Sequence, residues 1–248
     1  MQYDEFLDLV RSRRTIRAIK PDPVPDDVVE KLLEAARWAP TGFNMQPVEF
    51  LVVKDDHLRR EINRILDDYN DADFFAMEAT REEWQGSPWV KDAHGAWRRR
   101  LTPVDILILG DTRRKVGLPM AARYARQKGE SIFESSLSNA FLYMLLAAHT
   151  LGLAAQPASA VKYPKVQGLV KHLLNLPDFI YVYDLVQVGY PVEGGRLSPK
   201  STRDLADLVH FERAADDEFI SDEELRDQIR ALRAGNVTRH AEAETGDE

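Results

Sequence analysis

Arginine is concentrated at one place in this chain where it could do chemistry. In "RSRRTIR", Arg11, Arg13, Arg14 and Arg17 fall within seven residues. Planar guanidinium forks grip phosphate oxygens in pairs. In an extended segment alternate residues face the same way, so Arg13, Thr15 and Arg17 can converge on one anion. The same cluster also fits a solvated basic turn at a helix C-terminus, which the helix dipole favours. A second stretch, "APTGFNMQP" at 39–47, sets two prolines, a glycine and two amide side chains between a helical pattern and a strand pattern. Pro40 ends the helix, Gly42 permits backbone that other residues avoid, and Asn44 and Gln46 bring amide donors and acceptors. Such a loop can meet the edge of a planar heterocycle, or it can satisfy its own backbone. A third feature, Lys200 with Arg203 in "KSTRDL", is a lone basic pair and weak on its own.

What is missing narrows the chemistry. There is no cysteine, which excludes disulfides, zinc–thiolate sites, iron–sulfur clusters and cysteine nucleophiles. No GxGxxG, P-loop, HExxH or GxSxG occurs, and the six histidines show no metal-ligand spacing. The formal charge of −8 argues against a nucleic-acid or anionic-membrane partner for the surface as a whole, while leaving room for a local phosphate site. The first ten residues carry acids where a secretory leader has bases, and the longest near-apolar run, 140–148, is too short to span a bilayer. A cytoplasmic setting is expected.

The elements that must position these residues follow from periodicity. Phe6, Leu9 and Val10 share one helical face leading into the arginines. Asp27 with Glu30 reads as a capping box for a helix to about Trp38, carried by Val28, Val29, Leu32, Leu33 and Ala36. "VEFLVVKD" and "VDILILGD" read as buried strands, with a short amphipathic helix, "HLRREINRIL", after the first. Residues 67–102 have no steady period, and 111–130 read as irregular and basic. Residues 131–151 form the strongest helix, ending at Gly152. "LAAQPASAV" reads as extended, "YPKVQGLVKHLLNLP" as a helix and "FIYVYDLVQVGYP" as a long strand. "SPKSTRDLADLVHFE" reads as irregular, then extended, before a Ser221/Glu224 capping box and a thin Leu225/Ile229/Leu232 helix. Helices outnumber strands without regular alternation, so the class is α+β. The expected division is a main domain over 1–212, a helical extension over 213–234 and a disordered acidic tail over 235–248.

In combination these stretches resemble a known family. "RRTIR", then "APTGFNMQPVEFLVV", then "LGLAAQPASA" after a long apolar helix, then "VGYP" and "KSTR" are similar in order and spacing to the nitroreductase family of FMN-dependent oxidoreductases. The resemblance covers residues 3 to about 210 and rests chiefly on its first two motifs. It implies a central, mostly antiparallel sheet flanked by helices, in a homodimer with two FMN sites at the subunit interface. Arg13, Arg14, Thr15 and Arg17 would hold the FMN phosphate, ribityl chain and one ring edge. Arg203, with Lys200, would close on the phosphate. Pro40, Thr41, Gly42 and Asn44 would come from the partner subunit, and Pro157, Ala158 and Ser159 would line the other ring edge, mostly through backbone groups.

The activity implied is hydride transfer from NADH or NADPH, through FMN, to a nitroaromatic, quinone or enone-type acceptor in a ping-pong cycle. No catalytic side chain and no metal is expected. The alternatives are a reductive dehalogenase or flavin-fragmenting enzyme on the same fold, or a flavin-binding redox sensor. Trp84, Trp89 and Trp97 with Phe74 and Phe75 form either a substrate lid or a dimer contact. Arg98 to Arg100 read as a solvated face. Val48 and "AAQPASA" depart from the commonest family pattern, which leaves the substrate class open.

Overall fold

The computed structural model describes residues 2–78, 80, 99–194 and 202–229. The chain divides into two compact units, Met1–Asn70 with Arg99–Leu197, and Asp71–Arg98 with Ser198–Glu248.

The first unit is built on a four-stranded antiparallel sheet in the order β1-β2-β4-β3. The strands are β1 (Val48–Val53), β2 (Val104–Asp111), β3 (Ala154–Pro157) and β4 (Ile180–Gly189). Every residue of β2 is buried. Its even-numbered residues Val104, Ile106 and Ile108 join Val186 and Val188 in packing on Leu32, Ala36, Met144 and Ala148. These last four come from α2 (Asp26–Arg37) and α5 (Arg126–Thr150). Leu107 and Leu109 look the other way, onto Ile62 and Leu66 of α3 (Asp56–Tyr69) and Val166 and Val170 of α6 (Pro164–Leu173). The period-2 alternation of side chains therefore gives one helical layer on each face of the sheet. Truncating a side chain as central as Leu107 should cost roughly 2–5 kcal/mol.

A bulge interrupts the β2/β4 ladder. Ile108 faces Asp184 and Leu109 faces Val182, so Tyr183 is the extra residue. The slip brings Val182 and Leu185, three apart, to the same face, and leaves Asp184 buried at the kink.

Several boundaries move from their expected places. Pro25 precedes the first turn of α2, whose Asp27 side chain pairs with Lys31 at 3.0 Å in place of a capping box. The segment expected to be irregular holds a turn at Thr112–Gly117, a short helix α4 (Met120–Tyr124) and the start of α5. α4 buries only Ala122, so it has no apolar stripe to announce it. Gly152, at φ 70°, closes α5, with Leu153 N–H donating to Ala148 O at 2.8 Å. α1 (Tyr3–Ser12) buries none of its residues in the single chain, although its apolar residues fall on one face.

In the second unit, residues expected to be extended before 212 instead form a single turn, Leu205–Asp207, and loop. Ser221 and Glu224 make a reciprocal capping box ahead of helical residues 222–229. Residues 79 and 81–98, with the three tryptophans read as a substrate lid or a dimer contact, lie outside the described residues, as do Lys200, Leu232 and the acidic tail. Among the described residues no helix is long and apolar enough to cross a membrane, and no group of three or more His, Asp or Glu could hold a metal.

Candidate functional site

The basic cluster begins where α1 ends. Residues 13–18 have no regular secondary structure, and the chain then joins the last strand's exit, with Lys20 N–H on Tyr190 O at 2.7 Å and Val192 N–H on Ala18 O at 3.0 Å. Arg11, Arg13, Arg14 and Arg17 have no ion pair among the described residues, whereas Arg37, Arg59, Arg60, Arg64, Arg99 and Arg113 each have a carboxylate. Four neighbouring arginines without an ion pair among the described residues could hold a multiply charged anion. Arg14 has a second task. Its Nη1 donates to the carbonyls of Arg11 and Arg13, capping the last turn of α1.

The loop at 40–46 is docked on the first half of α5. Gly42 N–H donates to Ser136 Oγ at 3.1 Å, and Asn139 Nδ2 donates to Pro40 O at 2.8 Å. A Cβ on Gly42 would lie 2.5 Å from Ile132 Cγ2, so only glycine lets the loop come this close. Phe43, Asn44 and Gln46 all have positive φ, at 54°, 50° and 48°. Part of the loop's polarity is used internally. Thr41 Oγ1 accepts Gln46 N–H at 3.1 Å, and Asn44 Oδ1 accepts from Gln46 Nε2 at 2.8 Å. Asn44 Nδ2 and Gln46 Oε1 face outward without a hydrogen-bond partner among the described residues.

A third piece sits at the end of β3. Ala158 N–H donates to Leu185 O at 2.7 Å and Ser159 Oγ donates to Asp184 Oδ2 at 2.8 Å. Lys162 Nζ stands 3.5 Å from the same carboxylate and 4.0 Å from the Tyr183 ring centre. Burial raises the Asp184 carboxyl above its ordinary range, against the pull of Ser159 and Lys162. The bulge in β4 thus aims a buried carboxylate at the segment Pro157–Ser159. Ser159 is tied into the sheet by its side chain.

Within one chain the arginines and the loop are kept apart. Ser12, next to Arg13, meets the C-terminal end of α5 with its Oγ 2.8 Å from His149 Nε2, while the loop docks at Ile132, Ser136 and Asn139. At 1.5 Å per residue, Ser136 and His149 are separated by roughly 20 Å along the helix. Arg203 belongs to the second unit, where its Nη2 donates to Asp207 O at 2.7 Å.

One buried polar group belongs to none of the sequence motifs. Asp105 is fully buried in β2, with Oδ1 accepting from Thr102 Oγ1 at 2.8 Å and Gln187 Nε2 at 3.3 Å. Gln187 also donates to Asn63 Oδ1 at 3.0 Å. Asp105 Oδ2 has no hydrogen-bond partner among the described residues, and burial holds the carboxyl at about 6. Beside it Arg99 is almost wholly buried and stands 3.5 Å from Asp67. Burial lowers the Arg99 guanidinium, Asp67 and Asp105 oppose that, and the charge of Arg17 adds to it. Arg99 is therefore no part of a solvated face. The sequence did hold a signal: Arg59, Asn63 and Asp67 repeat every four residues along α3, and Asp105 and Gln187 interrupt apolar strands.

Comparisons with known proteins bear on the family and the fold. The model of the nitroreductase family matches residues 10–190. An NADH dehydrogenase of Thermus thermophilus is 30% identical over 190 residues, covering 74% of this chain and 85% of that protein. Iodotyrosine deiodinase 1 of Rattus norvegicus is 27% identical over 216 residues, covering 84% of this chain and 70% of that protein. The crystal structure of oxidized iodotyrosine deiodinase bound to FMN and 3-iodo-L-tyrosine matches with a TM-score of 0.63 at 25% identity, covering 84% of this chain and 99% of that one.

Proposed function

The chain belongs to the nitroreductase family, and from that membership we propose that it is an FMN-dependent NAD(P)H oxidoreductase acting on a nitroaromatic, quinone or enone-type acceptor. The observation that carries the cofactor reading is the group of four arginines at the end of α1, which have no ion pair among the described residues. Their charge fits the phosphate of FMN, with Arg13, Arg14, Thr15 and Arg17 as its holders. Pro157, Ala158 and Ser159 are assigned to a ring edge, where Asp184 steadies them. When bound, FMN supplies the two-electron chemistry; this chain binds it, orients it and shapes the pocket beside it.

The site is read as completed by a second copy. Pro40 and Gly42 dock on α5 roughly 15–20 Å along the helix from the end that α1 meets, so the loop and the arginines are read as serving different cofactor sites. The uncovered face of α1 and the exposed Trp38 and Phe43 supply apolar surface for such a homodimer. Residues 1–212 are assigned to the FMN-binding domain and 213–234 to an extension, and the protein is placed in the cytoplasm.

Reductive dehalogenation of a halogenated phenol is the second reading, favoured by the likeness to iodotyrosine deiodinase in sequence and in fold. One experiment addresses both. The purified protein should be yellow, should bleach anaerobically with NADH or NADPH, and should be reoxidised by nitroaromatics and quinones. A protein that stays colourless with added FMN sinks the cofactor reading. Reoxidation by halophenols alone selects the dehalogenase.

A further inference from the structure

His149 lies in the last turn of α5, where α1 meets it. Ser12 Oγ is 2.6 Å from Asp8 O, 3.2 Å from Leu9 O and 2.8 Å from His149 Nε2. A serine hydroxyl has one proton to donate, and the helix carbonyls can only accept. The proton of Ser12 therefore goes to its own helix, and the ring must be the donor in the third contact. Nε2 keeps its hydrogen in either charge state, and the proton that comes and goes is the one on Nδ1. The charges acting on the ring are those of Arg13 and Arg14, with no carboxylate among them.

We propose that His149 is a proton-linked member of the anion site at Arg13 and Arg14: when a phosphate dianion settles there, the ring takes one proton from solvent at Nδ1 and becomes a further cation of the site. This rests on the phosphate reading given above. Without an anion, burial and then the two guanidiniums push the imidazole below its ordinary range, so the ring is neutral at pH 7. A dianion cancels the repulsion from Arg13 and Arg14, which raises the affinity of Nδ1 for a proton. No bond is made or broken apart from the N–H, and the positive charge gained offsets part of the phosphate charge.

The sign of the linkage follows. Binding takes up a proton between the lower midpoint of the free ring and the higher midpoint of the bound ring. Affinity for the anion is therefore level below the free midpoint and falls as pH rises through the bound one.

The test is an NMR titration of the His149 ring in the full chain, with the resonance assigned from His149→Gln. It is run alone, with inorganic phosphate, with FMN, with riboflavin, and with chloride at matched ionic strength. The expected result is a midpoint raised by about half a pH unit or more with phosphate or FMN, and unmoved by riboflavin or chloride. An unmoved midpoint at saturating phosphate or FMN overturns the proposal, as does an equal movement with riboflavin. If FMN fails to bind while inorganic phosphate still moves the ring, the flavin reading falls and the proton linkage stands. A second arm follows the FMN dissociation constant by flavin fluorescence from about pH 6.5 to about pH 8.5, above the phosphate's own second ionisation near 6. The constant should rise with pH in the wild type, by up to about threefold for each half unit that the midpoint moves, and stay level in His149→Gln. Parallel slopes in the two proteins count against it.

Discussion

The backbone N–H of Gly42 donates to Ser136 Oγ at 3.1 Å, and the same hydroxyl donates to Ile132 O at 2.7 Å. One serine in mid-helix thus has its proton and one of its two lone pairs committed, and the loop is held to α5 by that serine and by Asn139.

Gly42→Ala should disturb this seat. The new methyl would meet Ile132 Cγ2 at 2.5 Å, and that atom is anchored one bond from its Cβ, so the loop rather than the helix must move. Urea denaturation should show a loss of about 1–3 kcal/mol. If FMN affinity falls further than stability accounts for, the loop touches the cofactor; unchanged stability and affinity together would contradict the packing described.

Asp105→Asn carries a pH signature. An unfolded aspartate ionises near 3.9, whereas this one is held at about 6, so the folded state binds the proton more tightly. Its contribution to stability is fully present below the unfolded value and is lost as pH rises through 6. At pH 8 the ionised carboxylate costs on the order of 3 kcal/mol relative to its protonated form. Asp105→Asn should therefore melt higher than the wild type near pH 8, and the two should converge near pH 4. A variant less stable at pH 8 would mean that Arg59 and Arg99 depend on the charge.

Arg13→Ala and Arg14→Ala should separate binding from folding. Either change removes a charge-assisted contact and should weaken FMN by about tenfold or more, read by fluorescence titration. Only Arg14 also caps the carbonyls of Arg11 and Arg13. Its loss should in addition lower the apoprotein's stability by about 0.5–1.5 kcal/mol. Equal melting temperatures for the two apoprotein variants would remove the capping role.

Gly110→Ala tests the packing of α5 on the sheet. A Cβ there would fall 2.4 Å from Phe133 Cζ and 2.8 Å from Leu137 Cδ1. Overpacking of a rigid ring should cost about 1–3 kcal/mol, and Phe133→Leu in the same chain should recover part of it. Strict additivity of the two changes would show that they do not meet.

The elements with strong apolar rhythm were readable directly. β2, β4 and the body of α5 are long apolar or amphipathic stretches, and each was found within a few residues. α4 was not, since a five-residue helix that buries only Ala122 leaves no period to detect. The bulge at Tyr183 was hidden because a one-residue slip changes which face a residue takes without changing composition. In the candidate site the residue types were legible and their commitments were not. Nothing in "APTGFNMQP" says that Thr41 accepts from Gln46, nor does "RRTIR" reveal that Arg14 turns back on α1. Side-chain hydrogen bonds across a loop depend on backbone angles that sequence spacing does not specify. The Asp105 network went unseen because its members come from α3, β2 and β4, far apart in the chain.

The left-handed backbone at Phe43, Asn44 and Gln46 bears on how this protein would change under laboratory evolution. Each such residue costs roughly 1–2 kcal/mol, less for asparagine, and glycine would relieve it. A selection that rewards heat resistance alone would reach this loop early, replacing side chains with glycine one position at a time. The survivors would gain degrees and lose the amides that face outward from the loop. Lineages meant to stay functional would have to be screened for colour as well as for heat.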